Sequence, residues 1–87
     1  MYLIMVYDVK EKRVNKVLKI ARKYLTWVQN SVLEGEISGA KFEKLKIEIK
    51  HIIKDDEDSI VFYSFRRKTY TGREIMGIEK GKEETII

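Results

Sequence analysis

The chain has 87 residues, 44% of them hydrophobic and 37% charged, which bounds it to one domain with a modest core that a partner subunit would help to stabilise. It has no cysteine, which excludes disulfides, thiolate zinc sites and cysteine nucleophiles, and its net charge of +4 favours an anionic partner only weakly. No apolar run approaches the length of a membrane span or a signal-peptide core, so a soluble, cytoplasmic protein with no membrane partner is expected.

Tyr2-Leu3-Ile4-Met5-Val6-Tyr7-Asp8 places six apolar or aromatic residues before a carboxylate, the composition of a central strand. Side chains alternate along a strand, so Tyr2, Ile4, Val6 and Asp8 share one face and Leu3, Met5 and Tyr7 the other. An aspartate in that position serves as a turn or cap residue. Alternatively it is a metal or catalytic group whose charge something must neutralise.

From Lys10 to Leu25, Val14, Val17, Leu18, Ala21, Tyr24 and Leu25 follow the spacing of a buried helical stripe. Lys10 to Lys23 carries seven cations and one anion, a net of +6 in a chain of +4, so the remainder carries −2. Cations in a first helical turn oppose the helix dipole, so Lys12 and Arg13 are slightly unfavourable there unless they meet an anion. A phosphate near Asp8 would serve, with an ordinary solvated face as the alternative.

Thr26 to Gln29 and Ser31 to Ile37 are strand-like pieces meeting at Gln29-Asn30-Ser31, which predicts a hairpin with a tight turn or bulge. Ser31 either orients a phosphate or satisfies that turn. Ser38 can cap a second helix whose stripe is Phe42, Leu45, Ile49, Ile52 and Ile53. His51, the single histidine, falls near its end and is expected at the surface or at a cap, not in proton transfer. Asp55-Asp56-Glu57-Asp58 lacks the glycine-containing ligand spacing of a calcium loop and reads as a solvated turn.

Ser59 to Phe65 is a second strand apolar on both faces. Its neighbour lacks the glycine-and-aromatic signature of an RNA-recognition sheet, so packing is the expected use of its aromatics. Arg66-Arg67-Lys68 is a basic cluster, Thr69 to Ile78 adds one more short strand, and residues 79–87, ending in two isoleucines, form a tail expected to dock on the dimer or on a partner.

Strand, helix, strand, strand, helix, strand is the order of the ferredoxin-like α+β fold, an antiparallel sheet with both helices on one face, here over residues 1–78. Two helices cover one side of such a sheet, whereas both central strands are apolar on both sides. A second copy is the commonest cover, so a two-fold homodimer is expected. Near its axis one Asp8 becomes a pair able to hold a hard divalent ion.

The first strand ending in Asp8, the basic run Lys12-Arg13-Val14-Asn15-Lys16-Val17, the stretch Trp27-Val28-Gln29-Asn30-Ser31-Val32-Leu33-Glu34-Gly35-Glu36, and Asp58-Ser59-Ile60 together resemble CRISPR-associated protein 2. The resemblance covers nearly the whole chain, and the tail from Gly77 is similar to archaeal members. It implies a homodimer of a prokaryotic adaptive immune system with Asp8 as metal ligand and catalytic centre. Family members are described as magnesium-dependent endonucleases on single-stranded RNA or double-stranded DNA, acting in spacer acquisition and antiviral defence. They are also described as non-catalytic adaptors that grip duplex DNA and bridge integrase subunits.

The residue chemistry accommodates either role. Magnesium, or another divalent cation such as Mn²⁺, takes one or two carboxylates, which two copies of Asp8 supply. Lys12, Arg13, Lys16, Arg66 and Arg67 would bind phosphates without reading sequence.

Overall fold

The computed structural model describes residues 1–66 and 69–78. Among these residues, five strands and two helices follow one another as β1 (Tyr2–Asp8), α1 (Glu11–Ala21), β2 (Thr26–Gln29), β3 (Val32–Glu36), α2 (Gly39–Lys50), β4 (Ser59–Arg66) and β5 (Thr69–Gly77). All pairings are antiparallel, and the strands lie in the order β2-β3-β1-β4-β5. The first four strands give the expected ferredoxin-like arrangement. β5, expected to be short, is the longest strand at nine residues and extends the β4 edge.

Alternation along β1 decides the layering. Leu3, Met5 and Tyr7 are buried with Leu33 of β3 and with Ile60 and Phe62 of β4, against Val17 and Ala21 of α1 and Phe42, Leu45 and Ile49 of α2. Phe42 and Phe62 meet edge to face, their centroids 5.1 Å apart. α1 ends earlier than its apolar spacing suggested, but the turn after it still brings Leu25 into the core and Tyr24 against it. Ser38 caps α2 as expected, accepting from Lys41 N at 3.2 Å, and His51 is the exposed residue that closes the same helix.

The hairpin between β2 and β3 carries a register shift between Trp27 and Gln29 and turns through Asn30, whose φ is 40°. Two side chains hold this turn: Tyr7 Oη and Trp27 Nε1 both donate to the Asn30 carbonyl, at 3.0 and 2.9 Å.

Among the described residues, no helix covers the opposite side of the sheet. Val32, Val6, Val61 and Ile75 lie in register across four strands, with Glu34, Ile4, Tyr63 and Arg73 in the next row. Val32, Val6, Val61, Ile75, Ile4 and Tyr63 are only half-buried in the single chain.

Gly77 closes β5 in a conformation that requires glycine. Its φ is +87°, and a Cβ there would lie 1.9 Å from the carbonyl oxygen of Asp58. Gly77→Ala is expected to cost about 1 to 3 kcal/mol from backbone conformation alone, with the steric clash adding to it. An unchanged midpoint in urea unfolding would show that the β5 end relaxes freely.

No helix among the described residues is long and apolar enough to cross a membrane. The proposed tail, residues 79–87, and Arg67 lie outside the described residues.

Candidate metal and nucleic-acid site

Asp8 is the last residue of the central strand and is exposed. Its register partner on β4 is Ser59, and on the alternation of β1 it falls on the helix-free side with Ile4 and Val6. Tyr7 N donates to Ser31 O at 3.0 Å, so the hairpin turn bearing half-buried Ser31 stands beside the end of β1. The first turn of α1 follows two residues after Asp8, bringing exposed Lys12 and then Lys16 along the helix that leaves this end of the sheet. Asp8, Ser31, Lys12 and Lys16 therefore belong to one end of the domain and the helix departing from it.

Arg66 does not. It ends β4, seven residues beyond Ser59, which at the usual strand rise is about 23 Å along the sheet. Within one chain it cannot act on a phosphate held at Asp8.

Arg13 has a different role from the one its sequence position suggested. It is buried, and its guanidinium grips an acid of the chain itself: Nε to Asp58 Oδ2 at 2.6 Å, Nη2 to Asp58 Oδ1 at 3.0 Å and Nη2 to Glu57 Oε1 at 2.7 Å. The anion required by the first turn of α1 is thus internal, supplied from 45 residues away. The same carboxylate accepts from Lys10 N at 2.9 Å and Lys54 N at 2.8 Å, while the Asp58 carbonyl accepts from Ile78 N at 2.9 Å.

Asp58 consequently joins the loop after Asp8, the start of α1, the loop after α2 and the end of β5. The expectation of a solvated four-acid turn fails at this residue, which has no exposed surface, and partly at half-buried Glu57; Asp55 and Asp56 are exposed as expected. Burial pushes the Asp58 carboxyl up, but the hydrogen bonds from Arg13 and from the Lys10 and Lys54 backbone outweigh it and hold the group well below the usual carboxylate range. Glu57 is lowered chiefly by its hydrogen bond to Arg13, and Arg13 is raised in return. Two signals pointed to this arrangement: cations opposing a helix dipole, and an aspartate immediately before an apolar strand.

Among the described residues, no three histidine, aspartate or glutamate side chains come together as a metal site. A second copy bringing its own Asp8 to this end would supply the pair of carboxylates that magnesium can use.

Sheet order, helix placement and the terminal carboxylate define a ferredoxin-like α+β domain with an acidic strand end beside a basic helix. Residues 1–73 match the family model of CRISPR associated protein Cas2, and the chain belongs to that family. It is 62% identical over all 87 residues, the full length of both chains, to a Dictyoglomus turgidum protein named CRISPR-associated endoribonuclease Cas2. It is 59% identical over 86 residues, 99% of each chain, to the Thermotoga maritima protein of the same name. A crystal structure of Cas2 with 45% sequence identity superposes with a TM-score of 0.74, covering 92% of this chain and 90% of the other.

Proposed function

We propose that the protein is a homodimeric, magnesium-dependent endonuclease of the CRISPR system, acting in the cytoplasm on RNA, with Asp8 of each copy as metal ligand. The relatives' name, endoribonuclease, supports the reaction class. The observation that carries the proposal is the placement of exposed Asp8 at the end of the helix-free apolar rows. A second copy covering Val6, Val61 and their neighbours about a two-fold axis brings its own Asp8 toward the first.

Bound magnesium would polarise a phosphodiester oxygen and activate a water, and could keep most of its own water shell on two carboxylates. The remaining work falls to the chain. Lys12 and Lys16 attract the phosphate backbone without reading bases, and the Ser31 turn, fixed by Tyr7 and Trp27, shapes the rim beside Asp8. Arg13 and Asp58 hold the loop between Asp8 and α1 in place instead of touching substrate.

The second reading is a non-catalytic adaptor that grips duplex DNA and docks an integrase subunit, and the charged face of α1 favours it equally. Cleavage assays on single-stranded RNA and duplex DNA, comparing wild type with Asp8→Ala, separate the two. Magnesium-dependent cleavage by wild type alone supports the nuclease. Duplex binding without any cleavage supports the adaptor, and equal cleavage by both proteins removes Asp8 from the mechanism.

The dimer has its own test. Val61→Lys puts a charge at the centre of the Val32-Val6-Val61-Ile75 row and is expected to yield a folded monomer by light scattering, because desolvating an unpaired ammonium opposes association. A variant that retains the dimer mass would show that the copies meet elsewhere.

A further inference from the structure

The edge strand β2 exposes all four of its residues, and Trp27, in register with the core residue Leu33, faces the helix side of the sheet, opposite the face assigned to the dimer, with 45% of its surface exposed. Trp27 is the only tryptophan in the chain. Core burial does not explain its position, yet its ring is fixed: Nε1 donates to Asn30 O, and the Arg22 guanidinium lies 5.8 Å from the ring centroid. Beside it, Asn15, Leu18, Lys19, Arg22 and Lys23 line a shallow groove of about 450 Å³ on α1. Lys23 is paired with Glu48, whereas among the described residues no ion pair engages Lys16, Lys19 or Arg22.

We infer that Trp27 and this groove form a subsite for unpaired nucleic acid, in which the indole stacks a base while Lys19 and Arg22 take the adjoining phosphates. An oriented, half-open aromatic ring next to unneutralised cations matches what single strands require, a π-surface for the base and positive charge for the backbone. Duplex bases are stacked on one another and cannot use the ring. α1 rises about 15 Å between Lys12 and Arg22, so a strand laid along it would reach from Asp8 to Trp27. The inference deepens the proposed nuclease reading by naming a specificity element, and it rests on that reading for its connection to cleavage.

The test uses the single tryptophan as its own reporter. The full-length protein is titrated with a short unstructured polyuridine strand and with a duplex of equal length, with magnesium chelated so that the strand stays intact and the result does not depend on Asp8. Indole emission is expected to be quenched to saturation by the single strand and left nearly unchanged by the duplex. With binding read from the anisotropy of a fluorescently labelled nucleic acid, because these variants carry no tryptophan, Trp27→Ala is expected to lower single-strand affinity about tenfold with little effect on the duplex, while Trp27→Phe retains most of it. Lys19→Gln with Arg22→Gln should weaken both and flatten the salt dependence by about two counterions.

Single-strand binding without quenching, or equal losses on both nucleic acids in Trp27→Ala, would overturn the subsite. So would an emission shift that follows protein concentration alone, because it would place Trp27 in a contact between copies. The cleavage test of Asp8 can fail while this one succeeds, and the reverse.

Discussion

Asp8→Asn is expected to reduce magnesium-dependent cleavage by about a thousandfold or more, since loss of the ion forfeits several kcal/mol of charge stabilisation on the reacting phosphate. The substitution keeps the size and strand position of an exposed side chain. Without metal, two Asp8 carboxylates near an axis repel, so the variant should dimerise at least as tightly as wild type. Magnesium is expected to raise the melting temperature of wild type and to leave that of the variant unmoved, because only a bound ion shifts the folding equilibrium. An equal rise in both proteins would place the ion elsewhere, whatever the cleavage rates.

Asp58→Ala is expected to be the most damaging single change to the fold, at about 3 to 5 kcal/mol, a large part of the 5 to 15 kcal/mol available to a domain. It strips Lys10 N and Lys54 N of their acceptor and leaves the buried Arg13 guanidinium with only Glu57. Much of the loss comes from an uncompensated buried charge. Asp58→Leu combined with Arg13→Met should therefore be more stable than Asp58→Leu alone, and a double variant no better than the single would refute that cause.

The pH dependence follows from the same group. A carboxyl whose folded-state pKa is depressed contributes stability fully above its unfolded value, near pH 4, and loses it progressively in more acidic solution. Wild type should lose melting temperature steeply below that point. Asp58→Asn, starting lower, should show a shallower acid limb, with Glu57 and Glu48, both also lowered by their cationic partners, accounting for part of what remains. Parallel acid limbs in the two proteins would mean that the Asp58 cluster contributes little.

Much of the architecture was legible because it is written at short range. Alternation in Tyr2 to Asp8 and Ser59 to Phe65 assigned the faces of both central strands, and the Phe42, Leu45 and Ile49 spacing assigned the buried side of α2. Ser38 was recognisable as a cap because its acceptor reaches only three residues ahead.

Arg13 was harder to read. Composition made it one more cation on a basic helix, and nothing local separates it from Lys12 or Lys16, which remain exposed. Likewise Asp58 looks like its acidic neighbours until β4 and β5 are paired, when its carbonyl meets the Gly77 turn and its carboxylate meets α1. Trp27 stands out in the sequence only as part of the Trp27 to Glu36 stretch, and its exposure follows from the position of β2 at the edge of the sheet.

By itself the sequence determined the order of elements, the two-faced apolar strands and the acid at the end of the first of them. These follow from periodicities of two and about 3.6 residues, which any short window contains. Tertiary structure alone decided which charges are structural and which face outward. Arg13 and Asp58 are brought together by chain crossings over 45 residues, and Arg66 is kept from Asp8 by the antiparallel run of β4. Charge has no periodicity that announces its partner, because a Coulombic pair is specified by distance in space and by burial, and only the closed sheet sets either one.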